Sequence, residues 1–314
     1  MPMRARRHGR HAPSTKRGWW GQVRRQLPAL VLLAVAWLLL SVGKTWAAPA
    51  LWRFQDEDST IYLFGTIHIL RPETRWRDAG LDAVLEKVDH FVFELAEDRV
   101  DPLTAQRLIL DKGFLSGKKT LTGLVPAPVR ERLAQTADRL GLPLSALDRM
   151  RPWYAALQVT IATARQMGLQ AENGIDRALA AYAKARGVSI DGLETLREQI
   201  DLFADMPLED EIAFLDSALA EAARDETLLI ALETAWAEGR VQDLAALLDQ
   251  ELEKHPRLIA RLLTTRNRHW VTMITGLLSR PGVHFVAVGS AHLVGPDNLI
   301  GMLRVKGITV ERVR

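Results

Sequence analysis

The chain has 314 residues, with 41 Lys and Arg against 38 Asp and Glu, and no cysteine. The lack of cysteine excludes a disulfide framework, a lipobox and a thiol nucleophile, so any metal must be held by His, carboxylates or other oxygen donors. The basic balance belongs to one end of the chain and is no sign of nucleic-acid binding, which needs a basic patch on the folded part.

Residues 1–47 read as an export leader. Arg4, Arg6, Arg7, Arg10, Lys16, Arg17, Arg24 and Arg25 come first, with no acidic residue among them. An apolar run from Leu27 to Val42 follows, broken only by Pro28 and Ser41, and then Lys44-Thr45-Trp46-Ala47-Ala48. A basic segment, an apolar segment and a small-residue exit make a secretory signal. Cutting after Ala47 puts Thr45 at −3. The alternative is an uncleaved signal anchor, because the run is near the short end for a spanning helix. The expected location is periplasmic, or the inner membrane through that anchor alone. The leader holds nine of the 41 basic residues and no acidic one, so the rest carries 32 against 38 and a formal charge of −6. About 267 residues remain, enough for one large core or two lobes.

Two apolar segments, Leu51–Phe54 and Thr60–Phe64, flank the polar turn 55–59 and predict a hairpin. A helix near 79–87 and a buried strand over 89–95 follow, which is a βαβ unit. Apolar residues recur at helical spacing through 102–112, 126–140, 152–168 and 174–186. Gly113, Pro126, Gly141, Pro143, Pro152 and Gly168 punctuate them. Residues 188–194 read as a short strand. Helices are expected over 195–204, 208–236, 240–253 and 256–279. A strand over 283–288, a helix opened by Pro296 and running to Leu303, and a last strand over 307–313 close the chain. The expected fold is α/β: a central mixed sheet with strands from both chain ends and a large helical lobe inserted at about 102–280.

One short pattern occurs twice. Gly65-Thr66-Ile67-His68 follows the apolar run 61–64, and Gly289-Ser290-Ala291-His292 follows 285–288. Each reads as strand, glycine, hydroxyl residue, apolar residue, histidine. A glycine at a strand end takes φ > 0 or admits another backbone closely. A lone histidine near a strand is more often ordinary hydrogen-bonded structure. Two in matched context point to one site at the carboxyl edge of a sheet, where ligands sit in open α/β folds. Glu94 ends the strand 89–95 and adds a carboxylate at that edge; its alternative role is a cap or an ion pair. Two histidines and a glutamate suit a divalent ion such as Zn, Mn or Fe. His90 and His284 stand at strand starts, the wrong end; His255 precedes Pro256, and His269 lies on a polar helix face. His-Glu-x-x-His, Gly-x-Ser-x-Gly, Walker A and Gly-x-Gly-x-x-Gly patterns are missing.

From Leu51 onward the chain resembles the TraB/GumN family, which includes the Tiki metalloproteases and is related to ChaN-like and erythromycin-esterase-like folds. The resemblance rests on Leu63-Phe64-Gly65-Thr66-Ile67-His68, the strand ending at Glu94, Asn173-Gly174-Ile175-Asp176, Gly192-Leu193-Glu194-Thr195 with Gln199, Arg266-Asn267, and Val288-Gly289-Ser290-Ala291-His292-Leu293. Where the family often has Glu before the Arg-Asn pair, this chain has Thr265. The resemblance implies a metal-dependent hydrolase acting on peptide or amide bonds in a peptide or small-molecule substrate. It makes His68, Glu94 and His292 the metal-site candidates, for an ion of Mn, Co, Zn or Fe. It adds Asp176, Glu194, Arg266 and Asn267 as further catalytic candidates. Asp176 and Glu194 would be a ligand, a general base or orienters of the ligands, with helix capping and surface pairing as the plain alternatives. Arg266 would pair with a buried carboxylate or hold a substrate carboxylate. A non-catalytic protein that binds haem, metal or a polymer is the second reading, because ChaN-like relatives are associated with haem.

Overall fold

Three apolar runs, buried on both faces, make the centre of the sheet in a computed structural model that describes residues 48–224, 227–252 and 256–314. They are β2 (Ser59–Thr66), β3 (His90–Leu95) and β5 (Gly282–Gly289). Along each, alternate residues face opposite layers. Phe64, Phe91, Phe93, Phe285 and Ala287 join one apolar cluster, while Ile61, Leu63, Val92, Val286 and Val288 join another. Strands apolar on both sides are what a parallel sheet covered by helices requires.

The six-stranded sheet has the order β4-β3-β5-β2-β1-β6, with β1 at Leu51–Gln55, β4 at Ser189–Glu194 and β6 at Glu311–Arg312. β4, β3, β5 and β2 are mutually parallel, and β1 and β6 pair antiparallel. The α/β class and the mixed sheet built from both chain ends are as expected. The four parallel strands end at one edge.

Helices Ala79–Leu85, Ile175–Arg186, Thr227–Ala237 and Val241–Leu252 contribute to the cluster on one face, and Thr265–Gly276 and Leu299–Val305 to that on the other. A separate helical core lies in Ala127–Leu140, Pro152–Gln166 and Leu208–Ala222, around Leu133, Val159, Leu215 and Leu219. So the inserted helices are of two kinds: some cover the sheet and some form a lobe.

Three expected elements differ. The helix expected over 208–236 is two, Leu208–Ala222 and Thr227–Ala237. No Gly or Pro marks the break; the halves serve different cores, Leu215 and Leu219 in the lobe and Trp236 against the sheet. The helix expected from Pro296 begins at Leu299, because Asn298 is its N-cap and accepts from the Gly301 N–H at 2.9 Å. Asp297, with φ of 53°, cannot belong to a right-handed helix. The last strand is only Glu311–Arg312, opposite Arg53 and Trp52. The expected leader, 1–47, lies outside the described residues.

The helix Ile175–Arg186 is docked through its first turn. Ile175 N–H donates to the Ile67 carbonyl at 3.0 Å. A Cβ on the preceding Gly174 would stand 2.4 Å from the His68 carbonyl oxygen and 3.1 Å from that of Ala171. Backbone does not yield as a flexible side chain does, so Gly174→Ala is expected to cost about 1–3 kcal/mol, the usual range for overpacking. Urea unfolding would measure it; an unchanged midpoint would show that the His68 loop moves aside freely.

Candidate active site

Each parallel strand brings a residue to the shared edge. Glu94 is next to last in β3 and Glu194 last in β4. His68 follows β2 by two residues, and His292 ends the 3₁₀ turn Ser290–His292 that follows β5. The paired motifs touch, but one residue out of register: Gly65 lies opposite Val288, and Thr66 opposite Gly289. Neither motif glycine has positive φ. Close approach explains them instead. A Cβ at Gly65 would be 3.1 Å from the Ser290 Cα.

Gly289 marks the point of convergence. A Cβ there would lie 3.1 Å from Glu94 Oε1 and 3.7 Å from both His292 Cδ2 and His68 Nε2. The three side chains therefore border one small space. Gly289 N–H also donates to Glu94 Oε1 at 2.7 Å.

The two histidines differ in setting. His68 is exposed, 64 % at the side chain, and its Nδ1 is 2.7 Å from Asp176 Oδ2. Thr66 Oγ1 donates to the other Asp176 oxygen at 2.8 Å. The hydrogen bond to Asp176 pushes the His68 imidazole up to about 9. His292 is buried, and burial pushes it down to about 4. Its Nδ1 is 2.6 Å from Asn267 Oδ1, and its Nε2 is 3.1 Å from Arg266 Nη1 and 3.7 Å from Glu94 Oε1.

Arg266 ties the edge together. A π-helical stretch, Ala260–Thr264, leads into its helix. Its Nη2 donates to Glu94 Oε2 at 2.5 Å and to Glu194 Oε1, its Nε to Glu194 Oε2 at 3.1 Å, and its Nη1 to the Leu262 carbonyl at 3.0 Å. The guanidinium also lies 4.4 Å from the Trp270 ring centroid, one turn along the helix. Burial alone would raise the Glu94 carboxyl; His292, Arg266, His68 and the Gly289 N–H outweigh it and hold the group below the usual carboxylate range.

All seven residues singled out in the sequence thus meet at this edge. Capping does not account for Asp176 or Glu194. The helix after Glu194 is capped by a Thr195–Glu198 box, and Gly174 is the N-cap before Asp176. Neither carboxylate stands free, since Asp176 serves His68 and Thr66 and Glu194 serves Arg266. Sequence reasoning missed Thr66, Trp270 and the Asp297 carbonyl, which accepts from Asn267 Nδ2 at 2.9 Å. Thr66 had a visible signal as the hydroxyl residue of the repeated motif, and Trp270 had one in its i, i+4 spacing from Arg266.

As the side chains stand, no group of three or more His, Asp or Glu among the described residues could hold an ion. Arg266 engages Glu94 Oε2 and His292 Nε2 directly. The donor chemistry nevertheless fits a divalent ion. Each imidazole is held at Nδ1 by an oxygen, an arrangement usual for metal-binding histidines, and the space beside Gly289 is bordered by two imidazoles and a carboxylate.

A family model described as the TraB/PrgY/gumN family matches residues 50–312. The chain belongs to this family. It is 28% identical over 174 residues to the uncharacterized protein YbaP of Escherichia coli (strain K12), covering 55% of this chain and 64% of that protein. It is 23% identical over 269 residues to an uncharacterized protein of Treponema pallidum (strain Nichols), covering 81% and 79%. It is 26% identical over 303 residues to Metalloprotease TIKI2 of Danio rerio, covering 80% of this chain and 58% of that one. The chain thus spans less than two thirds of the E. coli and zebrafish proteins. No solved structure matches.

The opposed histidine shifts predict a stability optimum for the metal-free protein. His292 is neutral in the fold down to about pH 4, whereas an unfolded histidine titrates near 6.5. Between those values the unfolded chain holds the extra proton, so stability rises with pH and is fully present above 6.5. His68 has the reverse sign: its contribution is full below 6.5 and is lost as pH rises through about 9. Urea midpoints should therefore peak near pH 6.5. The acid arm should be worth on the order of 2–3 kcal/mol and the alkaline arm less, because His68 is exposed to solvent. His292→Asn should flatten the acid arm alone. A midpoint that stays level from pH 4 to 6.5 in the wild type would contradict the assignment.

Proposed function

We propose that this protein is an exported metal-dependent hydrolase that acts on peptide or amide bonds. The observation that carries the reading is the convergence of His68 Nε2, Glu94 Oε1 and His292 beside Gly289, with each imidazole held through Nδ1. The family relatives named as metalloproteases support it. His68, Glu94 and His292 would hold the ion. A divalent ion held there would supply Lewis acidity, lowering the pKa of a water and polarising a carbonyl.

The chain's own groups have distinct tasks in this reading. Asp176 orients His68. Arg266 keeps its charge and, with all five N–H groups engaged, fixes Glu94 and His292 at the site. Glu194 holds Arg266 in that orientation through two bonds. A cleft of about 250 Å³, lined by His68, Phe93, Glu94, Asp176 and Gln199 among others, opens beside the site. A second, of about 700 Å³, includes Leu95, Leu108, Glu194, Leu196 and Met273 in its lining and shares Leu95 with the first. Two adjoining clefts suit an extended chain crossing the strand ends.

The haem-binding alternative draws less support. The exposed His68 stands in a cleft with Glu94, Glu97, Asp98 and Asp176 rather than beside a flat apolar face. Those carboxylates would repel the propionates of haem.

The purified protein should contain stoichiometric metal and cleave members of a peptide library, and a chelator should abolish cleavage. His68→Ala, Glu94→Gln and His292→Ala should each lose metal and activity with the far-UV CD spectrum unchanged. Asp176→Ala should weaken metal binding about 10–100-fold, as loss of a ligand's hydrogen-bond partner does. Glu194→Gln should keep the metal and lose turnover. Full metal and full activity in both histidine variants would replace this reading with the binding-protein one.

Export is a proposal from the leader sequence. Mass spectrometry of the exported protein should find an N-terminus near Ala48. Full-length protein confined to the cytoplasm would refute it.

A further inference from the structure

The buried His292 ring has both nitrogens engaged, and the chain of partners fixes where its proton sits. Nδ1 faces the Asn267 side-chain amide at 2.6 Å. The far end of that amide settles which atom faces the ring. Asn267 is itself buried, 1% exposed, and its other amide atom lies 2.9 Å from the Asp297 carbonyl oxygen. A carbonyl only accepts, so Nδ2 faces Asp297 and Oδ1 faces the ring. Oδ1 in turn only accepts, so Nδ1 must carry a proton. The other ring nitrogen gives an independent check. Arg266 Nη1, which only donates, stands 3.1 Å from Nε2. Nε2 therefore presents a lone pair.

The relay begins in an unusual backbone. Asp297 is the one non-glycine among the described residues with positive φ, at 53°. Asp is among the few residues that tolerate this region. The turn it makes comes just before the Asn298 N-cap and sets the Asp297 carbonyl against Asn267. Its side chain is only loosely held, with Thr264 Oγ1 at 3.4 Å from Oδ2.

We propose that the Asp297 carbonyl and Asn267 form a positioning relay that locks His292 as the Nδ1–H tautomer, with its Nε2 lone pair turned to Arg266 Nη1 at the border of the space beside Gly289. Asn267 acts through His292 and touches neither substrate nor metal. Free neutral histidine favours the proton on Nε2, so a ligand histidine without such a partner would expose the wrong nitrogen. That the lone pair serves a metal rests on the hydrolase reading; the tautomer does not.

The test is the ¹⁵N spectrum of the histidine rings in the metal-free protein at pH 8, with His292 assigned by difference from His292→Gln. The wild type should show a protonated Nδ1 and an unprotonated Nε2. Asn267→Ala should leave the Nδ1–H without an acceptor, which moves the Nδ1 signal, and should weaken Zn²⁺ binding about 10–100-fold. Asp297→Gly should match the wild type, because glycine adopts the same backbone freely and the carbonyl stays. A proton on Nε2 in the wild type overturns the relay, and that result needs no variant to fold. So does an Asn267→Ala protein in which the Nδ1 signal and the Zn²⁺ affinity are both unchanged. If the wild type shows the Nδ1–H tautomer yet binds no Zn²⁺, the relay stands and the metal reading falls.

Discussion

A buried guanidinium holds the carboxyl edge of this sheet together. Arg266, Glu94 and Glu194 have side chains only 12%, 10% and 7% exposed. Removing such charges from water costs several kcal/mol each, and only close pairing repays it. One cation against two carboxylates leaves a formal charge of −1 in a region of low dielectric. That residual charge shapes what surrounds it. Glu94 takes a further N–H from Gly289. His68 is pushed up chiefly by its hydrogen bond to Asp176, with Glu94 adding to that and Arg266 opposing it. In the hydrolase reading, His68 would give up a ring proton to hold the ion through Nε2, so binding would strengthen as pH rises.

The same edge explains why two histidines with one sequence context have opposite properties. The motifs are offset by one residue across the β2–β5 ladder. After Gly289 the chain turns at once into a 3₁₀ turn, which carries His292 inward against Trp270, their ring centroids 4.4 Å apart. After Thr66 the chain continues outward, and His68 is caught by a carboxylate on a helix from the other face of the sheet. One imidazole is thus desolvated and neutral, the other solvated and charged.

Much of the sheet was legible in the sequence, because apolar runs of strand length with glycine at their ends have few other uses. Glu94 was legible for the same reason, as the carboxylate near the end of a buried strand, whereas Glu194 was singled out only by the family resemblance. What could not be read was long-range choice. Nothing local in 208–236 shows that Leu219 belongs to the lobe and Trp236 to the sheet. Nothing near Pro296 shows that Asn298 will cap and Asp297 will turn left-handed to meet Asn267. Arg266 was legible as a motif residue, but its bond to two carboxylates and an imidazole on three strands exists only once the sheet order is set. Of the two reasons for the motif glycines, positive φ and close approach, only close approach holds, because sequence shows that a side chain is absent without showing whether torsion or crowding demands it.

Crowding is the answer around this site. A Cβ at Gly65 would press on Ser290, at Gly174 on the His68 carbonyl, at Gly192 to within 2.9 Å of the Ala96 nitrogen, and at Gly289 on Glu94. These contacts bring main chain against the segments that carry His68, Glu94 and His292. Packed backbone has fewer ways to relax than side chains in rotamer wells. The polar groups are therefore positioned by the scaffold itself, and their hydrogen bonds, Asp176 to His68 and Asn267 to His292, need fix only the last torsion of each ring. Such preorganisation is what a reactive site needs, since misplacement by about 1 Å is enough to cost most of its rate. It also accounts for the spacing of the motif residues along the chain: the glycines hold the strands and turns together, and the chemical groups follow within a few residues.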